Sequence, residues 1–180
     1  MSRSVRPKNP RTVLQPPHAP APHAPAPRLD GTDLAILAEL IADGRITNIA
    51  LATRVGVAES TCIHRVRALR ESGVISGVHA QLNLTALGLP LQAVIKVRLG
   101  IHNRELVKSF HATLTRIPGM LTAFHLAGED DYLIHVASTS PAALRDLVLD
   151  HITVHPAVRH TETHLVFEVV PGSGPLNHPA

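Results

Sequence analysis

Between Gly56 and Gly73 the chain reads VAESTCIHRVRALRES, a stretch that concentrates groups able to contact a polyanion. Ser60 and Thr61 supply short hydroxyls, His64 an imidazole, and Arg65 and Arg67 two guanidinium forks. Such forks match a phosphate or the O6/N7 edge of guanine, and short hydroxyls approach bases or phosphates closely. At about 100° per residue, Cys62, Val66 and Leu69 fall within about 60° of one another, while the five polar residues spread over the opposite side. The spacing therefore predicts a helix over 59–72 that buries one face and offers the other to duplex DNA. On that reading neither arginine points into a core, so replacing either weakens DNA binding and spares the fold.

A contact helix needs other elements to hold it. In LDGTDLAILAELIADGR, Asp30 and Asp33 form a capping pair, Leu34, Leu37 and Ile41 recur at helical spacing, and Gly44 supplies the stop. A shorter helix runs from Thr47 or Asn48, both good N-caps, through Leu51, Ala52 and Val55 to Gly56. Only Gly56, Val57 and Ala58 then separate it from the basic helix, the pattern of a helix-turn-helix. Beyond Gly73, Val78, Ala80 and Leu82 alternate with His79 and Gln81, which predicts a strand serving as a wing or a link. Gly88 and Pro90 break the connector that follows.

The second half has a different rhythm. Ile95, Val97 and Leu99 alternate with Lys96 and Arg98, predicting a strand; after Asn103, Leu106, Val107, Phe110, Leu114 and Ile117 recur at helical spacing until Pro118 and Gly119. Two apolar runs, 120–127 and 132–138, flank the polar turn GEDD and predict a hairpin. Ser140 and Pro141 open a helix with Leu144, Leu147, Val148 and Ile152 on one stripe. Thr161, Thr163, Leu165, Phe167 and Val169 alternate in a long last strand. The order βαββαβ predicts a ferredoxin-like sandwich, and the chain as a whole an α+β protein. The expected segments are a Pro/Ala/His-rich basic tail (1–28), a helix-turn-helix domain (29–80), a linker (81–91), a βαββαβ domain (92–170) and a C-terminal tail (171–180).

Composition narrows the function. The 180 residues are 44% hydrophobic with a net charge of +3, but residues 1–29 carry five basic residues and no acid, while the rest is slightly acidic. Polyanion binding by the folded part must therefore rest on local arrangement, with the tail adding nonspecific attraction to phosphate. No stretch approaches the roughly 18 apolar residues of a membrane span, and prolines occupy the place of a secretory apolar core. The lone Cys62 suits a reducing compartment, so a cytoplasmic, nucleoid-associated protein is expected.

Two landmarks together resemble one family. Residues 29–83, LDGTDLAILAELIADGRITNIALATRVGVAESTCIHRVRALRESGVISGVHAQLN, are similar to the DNA-binding domain of the leucine-responsive and asparagine-regulator (Lrp/AsnC) transcription factors. GEDDYLIHV resembles that family's Gly-Asp-x-Asp-Tyr hairpin, although Glu129 holds the first acid's place, and Ala58 stands where many members cap the contact helix with Ser or Thr. The resemblance implies a winged helix-turn-helix followed by an effector domain, a homodimer joined through the C-terminal sheet and gathering into octamers, and a roughly palindromic DNA site. It also implies an amino-acid effector and no cofactor. Gly128 would offer a backbone amide to the effector's carboxylate and Asp131 would hold its ammonium, beside Tyr132; family positions facing the hairpin map to Leu126 and His164.

Three other classes meet the same residues less well. An RNA-recognition module also runs βαββαβ but stacks bases on strand aromatics, whereas this chain has three Phe, one Tyr and no Trp, with only Phe124 and Tyr132 on the predicted central strands. Thirteen histidines raise a metal-responsive regulator, through His151 and His155 at helical spacing or His125 and His135 on neighbouring strands. No nucleophile elbow, phosphate-cradling loop or dinucleotide fingerprint appears, so an enzyme is not expected.

Overall fold

A computed structural model describes residues 27–100 and 103–177. The basic tail assigned to 1–28 lies almost wholly outside the described residues. The chain divides into two compact units at Ala80/Gln81, with residues from Ser173 onward grouped with the first.

In the first unit, α1 spans Gly31–Ala42, α2 Asn48–Val55 and α3 Glu59–Glu71. Each start has a physical signal. Asp30 and Asp33 form the reciprocal capping box, and the Thr47 hydroxyl accepts the Ala50 N–H at 3.2 Å. Gly56, at φ 76°, ends α2 in the left-handed conformation that glycine adopts without a Cβ penalty. The core joins Ile36 and Leu37 of α1 to Leu51 and Ala52 of α2 and to Cys62, Val66 and Leu69 of α3, with Leu176 of the C-terminal segment packed against it.

Two expectations fail in this unit. The buried stripe of α1 is Ile36, Leu37 and the half-buried Leu40; Leu34 and Ile41 are 44% and 61% exposed. Apolar residues surround most of this helix, so spacing alone leaves its inward direction open. The strand expected around Val78–Leu82 is irregular backbone, because alternation does not make a strand without a partner and the first unit has no other strand among its described residues.

The second unit is an antiparallel sheet, β1 Leu91–Leu99, β2 Met120–His125, β3 Tyr132–Ser138 and β4 Val158–Leu165, in the order β2-β3-β1-β4. Helices α4 (Arg104–Leu114) and α5 (Pro141–Val148) cover one face, capped by Asn103 and Ser140 as their sequences predict. That face contributes Ala93, Ile95, Val97 and Leu99 from β1 and Tyr132, Ile134 and Val136 from β3, packed on Phe110, Leu114, Leu144 and Ile152. Here α5 passes into a π-helical turn, Leu149–Thr153. Five residues part Leu147 from Ile152, and the wider turn brings both onto the sheet, which uniform α-helical winding would not do.

The last strand is shorter than its alternation predicts. Ala93 opposite Leu165 is its final paired position, Val166 N–H donates to Gln92 O, and β1 begins one residue earlier, after Pro90. Beyond that point no rung of β1 remains, and Phe167 is fully exposed.

Gly119, at φ 68°, lies where an added Cβ would clash with the Ala137 carbonyl, while its own carbonyl accepts the Ala137 N–H at 2.8 Å. We expect Gly119→Ala to lower stability by about 2 kcal/mol or more in urea denaturation, since both strain and a displaced strand rung oppose it.

Candidate nucleic-acid interface and effector face

The inward face of α3 is Cys62, Val66 and Leu69, all buried, as the wheel predicts. Burial also pushes the Cys62 thiol up from its ordinary pKa, away from the reactive thiolate. Ser60, Thr61 and His64 are exposed on the other side, together with Ile63. The two arginines part company. Arg67 has a side chain 77% exposed, with its Nε donating at 2.7 Å to Glu71 one turn on in the same helix. Such an exposed pair contributes little and exchanges readily.

Arg65 departs from its expected place on the free contact face. Its side chain is 32% exposed, and Nη1 donates to Asp30 Oδ2 at 2.7 Å and Asp33 Oδ1 at 2.9 Å. The Asp33 amide, and then the Arg65 guanidinium, hold the Asp30 carboxyl below its ordinary pKa; the same carboxylates raise that of Arg65. The expectation that removing Arg65 touches only DNA binding is thereby corrected: the residue links α3 to the start of α1. A helical wheel places Arg65 beside the core edge but cannot show which acids another helix brings to it. A second ion pair, Arg54 Nη1 to Glu39 Oε2 at 2.8 Å, joins α2 to α1.

The start of α3 is bare of side-chain help. Ala58 occupies the N-cap at φ −63°, ψ 146° and makes no cap hydrogen bond. The first-turn amides of α3, beside Ser60 and Thr61, thus have no cap side chain to accept from them, and such a helix start favours an anion.

In the second unit, the five residues expected to hold an effector do not converge. Leu126 is partly exposed and its amide donates to Asp131 O at 2.8 Å, closing the hairpin. Gly128 stands in open space at the tip. Asp131 is nearly buried: Oδ2 accepts the Leu99 N–H at 2.7 Å and its own N–H donates to Val97 O at 2.9 Å. This carboxylate bolts the turn to β1, which corrects its expected place as an exposed ammonium holder.

Tyr132 is fully buried on the helix-covered face, edge-on to Phe110 at 5.1 Å and stacked on His125 at 4.5 Å. Its ring borders a shallow cavity of about 240 Å³ formed with Val107, Lys108, His111, Ala112 and His125. His164 lies on the opposite, open face, where Nε2 is 3.4 Å from Glu162. Tyr132 and His164 are thus separated by the sheet itself.

The open face assembles residues that sequence reasoning passed over. Lys96 lies 3.5 Å from Glu162 and 3.9 Å from Asp130, and Arg98 Nη2 is 2.8 Å from Glu129 and 3.4 Å from Asp130. His164, followed by Lys96, lowers the Glu162 pKa. The Arg98 Nε–H is buried without a hydrogen-bond partner. The alternation of Lys96 and Arg98 was visible in the sequence; the register that sets them against Glu162 and the GEDD turn was not.

The competing histidine and aromatic arrangements do not assemble. His125 pairs across from Tyr132 and His135 across from Thr122, which places them on opposite faces of the sheet. His155 Nε2 lies 3.2 Å from Ser109 Oγ, and its Nδ1 accepts the Ala157 N–H. Among the described residues no three His, Cys, Asp or Glu side chains gather as metal ligands. Phe124 lies on the edge strand β2, not a central one, and Tyr132 turns inward, so the sheet has no stacking platform of the RNA-recognition kind.

Residues 29–76 match the winged helix-turn-helix DNA-binding family and residues 92–176 the Lrp/AsnC ligand-binding domain. The chain is 42% identical over 148 residues to the HTH-type transcriptional regulator AldR of Mycolicibacterium smegmatis, covering 82% of this chain and 86% of that protein. This chain belongs to the Lrp/AsnC family. It is 39% identical to the leucine-responsive regulatory protein of Rhizobium meliloti, over 79% of this chain and 91% of that one. Among solved structures, a transcriptional regulator from Neisseria meningitidis in complex with L-Met superposes with a TM-score of 0.78 at 33% identity, over 84% of this chain and 99% of the other. As an Lrp/AsnC protein this chain is a DNA-binding transcriptional regulator with an N-terminal winged helix-turn-helix and a C-terminal α+β ligand-binding domain.

The uncapped start of α3 gives a direct test. Ala58→Ser supplies an oxygen to the orphan amides, and we expect a gain of about 0.5–1 kcal/mol in chemical denaturation. An unchanged midpoint would mean that those amides are already satisfied.

Proposed function

We propose that this Lrp/AsnC regulator reads duplex DNA with the exposed residues Ser60, Thr61, His64 and Arg67 of α3, and that an amino acid bound to the second unit modulates that reading. The observation that carries the DNA part is the split character of α3: its apolar side is buried against α1 and α2, and its hydroxyls, imidazole and the exposed guanidinium of Arg67 face solvent. A helix held in that way enters a major groove with its N-terminal residues nearest the base edges.

For the effector, the charged rim of the open sheet face is favoured over the five residues first expected. An α-amino acid carries both charges, and this rim has both partners: Lys96 and Arg98 for the carboxylate, Asp130 and Glu162 for the ammonium. The unpartnered Arg98 Nε–H asks for one more acceptor, which a carboxylate supplies. Gly128 and Leu126 border the same turn, and His164 the same face. The L-Met held by the Neisseria relative supports the ligand class.

The protein acts as a homodimer, or an octamer built from dimers, joined through this sheet. Phe124, Val94 and Leu133 place apolar surface on the open face, and Phe167, Val169 and Val170 are exposed beyond β4. Two identical α3 helices then call for a roughly palindromic site. No helix among the described residues is long and apolar enough to cross a membrane; we place the protein in the cytoplasm with its DNA, without catalytic activity or a cofactor.

Titration of the DNA upstream of its own coding region, repeated with each of the twenty amino acids, tests both parts. We expect specific binding over random duplex, and a shift of about 5- to 150-fold in affinity with one amino acid or a few, the usual span of allosteric coupling. Equal affinity for random duplex would overturn the DNA reading; indifference to all twenty would overturn the effector reading.

A further inference from the structure

We infer that Arg65 is a positioning residue that sets the orientation of the recognition helix, and that sequence reading falls to its exposed neighbours. The inference rests on α3 being the DNA-reading element. Two facts about the cluster carry it.

The first is that each carboxylate is used on both oxygens. Asp30 Oδ1 accepts the Asp33 N–H at 2.8 Å and Oδ2 accepts from Arg65; Asp33 Oδ2 accepts the Asp30 N–H at 3.1 Å and Oδ1 accepts from Arg65. One guanidinium nitrogen thus closes a ring that also caps α1. Drawing Arg65 away to a phosphate would leave two acids uncompensated at that point. The cluster of two acids and one base is net negative, which suits the N-terminus of α1 and repels a phosphate.

The second is what else holds α3. Its buried side chains, Cys62, Val66 and Leu69, are small or medium in size and make apolar contacts, which resist separation but set rotation about the helix axis weakly. The Arg65 bonds are directional and span 32 and 35 residues of sequence. Arg65 immediately precedes the buried Val66, so its tie to α1 fixes the roll of α3, and with it the direction in which Ser60, Thr61, His64 and Arg67 face. Arg67, paired with Glu71 on its own helix, can trade that partner for a phosphate or a guanine without loosening the fold.

The two roles predict opposite signs for one substitution. If Arg65 were a DNA contact held back by its acids, Asp33→Asn would release it and strengthen binding, helped by the lost negative charge. As a positioning device, Asp33→Asn weakens specific binding in spite of that charge. Full-length protein is titrated with its upstream duplex and with random duplex from about 50 to 200 mM salt, a range that resolves individual phosphate contacts. The forms compared are wild type, Asp33→Asn, Arg65→Ala and the double variant, with circular dichroism confirming folded protein at the assay temperature.

We expect each single variant to lose roughly tenfold in preference for the specific duplex, about the size of one base contact. The double variant loses no more than the worse single, and salt slopes stay as in wild type. The proposal is overturned if Asp33→Asn strengthens specific binding. It is equally overturned if Arg65→Ala alone lowers the salt slope by about one, or if the variants melt earlier yet keep the full preference. Should Arg65→Ala fail to fold, Asp30→Asn takes its place, judged by the same preference and slope. Wild-type protein that fails to distinguish the two duplexes would strike at the DNA reading of α3, a result separable from all of these.

Discussion

Burial of Cys62, Val66 and Leu69 beneath α3 is the contact on which the rest depends. These three side chains meet Ile36, Leu37, Leu51 and Ala52 in a core supplied by three short helices, none longer than 13 residues. Helices of that length are marginal alone and gain their stability by packing. Once the apolar side of α3 is taken, its polar side is left to face solvent.

Charged groups divide the remaining work by their degree of engagement. Arg65 and Asp131 each hold one element against another, and their partners leave them little to offer a ligand. Arg67, Lys96 and Arg98 pair with the exposed glutamates Glu71, Glu162 and Glu129 on the faces where ligands are expected. The same residue types thus serve as braces or as contacts according to how deeply the acid of the pair is buried. In the second unit the sheet makes a similar division, with Tyr132 and His164 assigned to opposite faces by register alone.

Most of the fold was legible because its signals are local. Asp30 with Asp33, Thr47, Gly56, Asn103 and Ser140 mark their boundaries through short-range hydrogen bonds or backbone conformation, so each element starts or stops where its residues indicate. The errors arise where a distant partner decides. The extent of β4 depends on where β1 begins, the inward side of α1 depends on two other helices, and the segment around Val78 lacks a strand to pair with in its own unit. The candidate site followed the same rule. The outward placement of Ser60, Thr61, His64 and Arg67 was legible from one helical wheel, whereas the tie of Arg65 to Asp30 and the gathering of Lys96, Arg98, Asp130 and Glu162 require contacts between residues 32 to 66 positions apart, beyond any local pattern.

The claim that the outward side of α3 enters duplex DNA is tested most directly by proximity. A photo-crosslinking side chain placed at His64 in the full-length protein, bound to its upstream duplex and irradiated, reports which surface lies against the bases. The account predicts covalent adducts at major-groove base edges within two related half-sites. DNA retained at wild-type affinity but crosslinked only through probes outside α3, such as at Lys108, would contradict it.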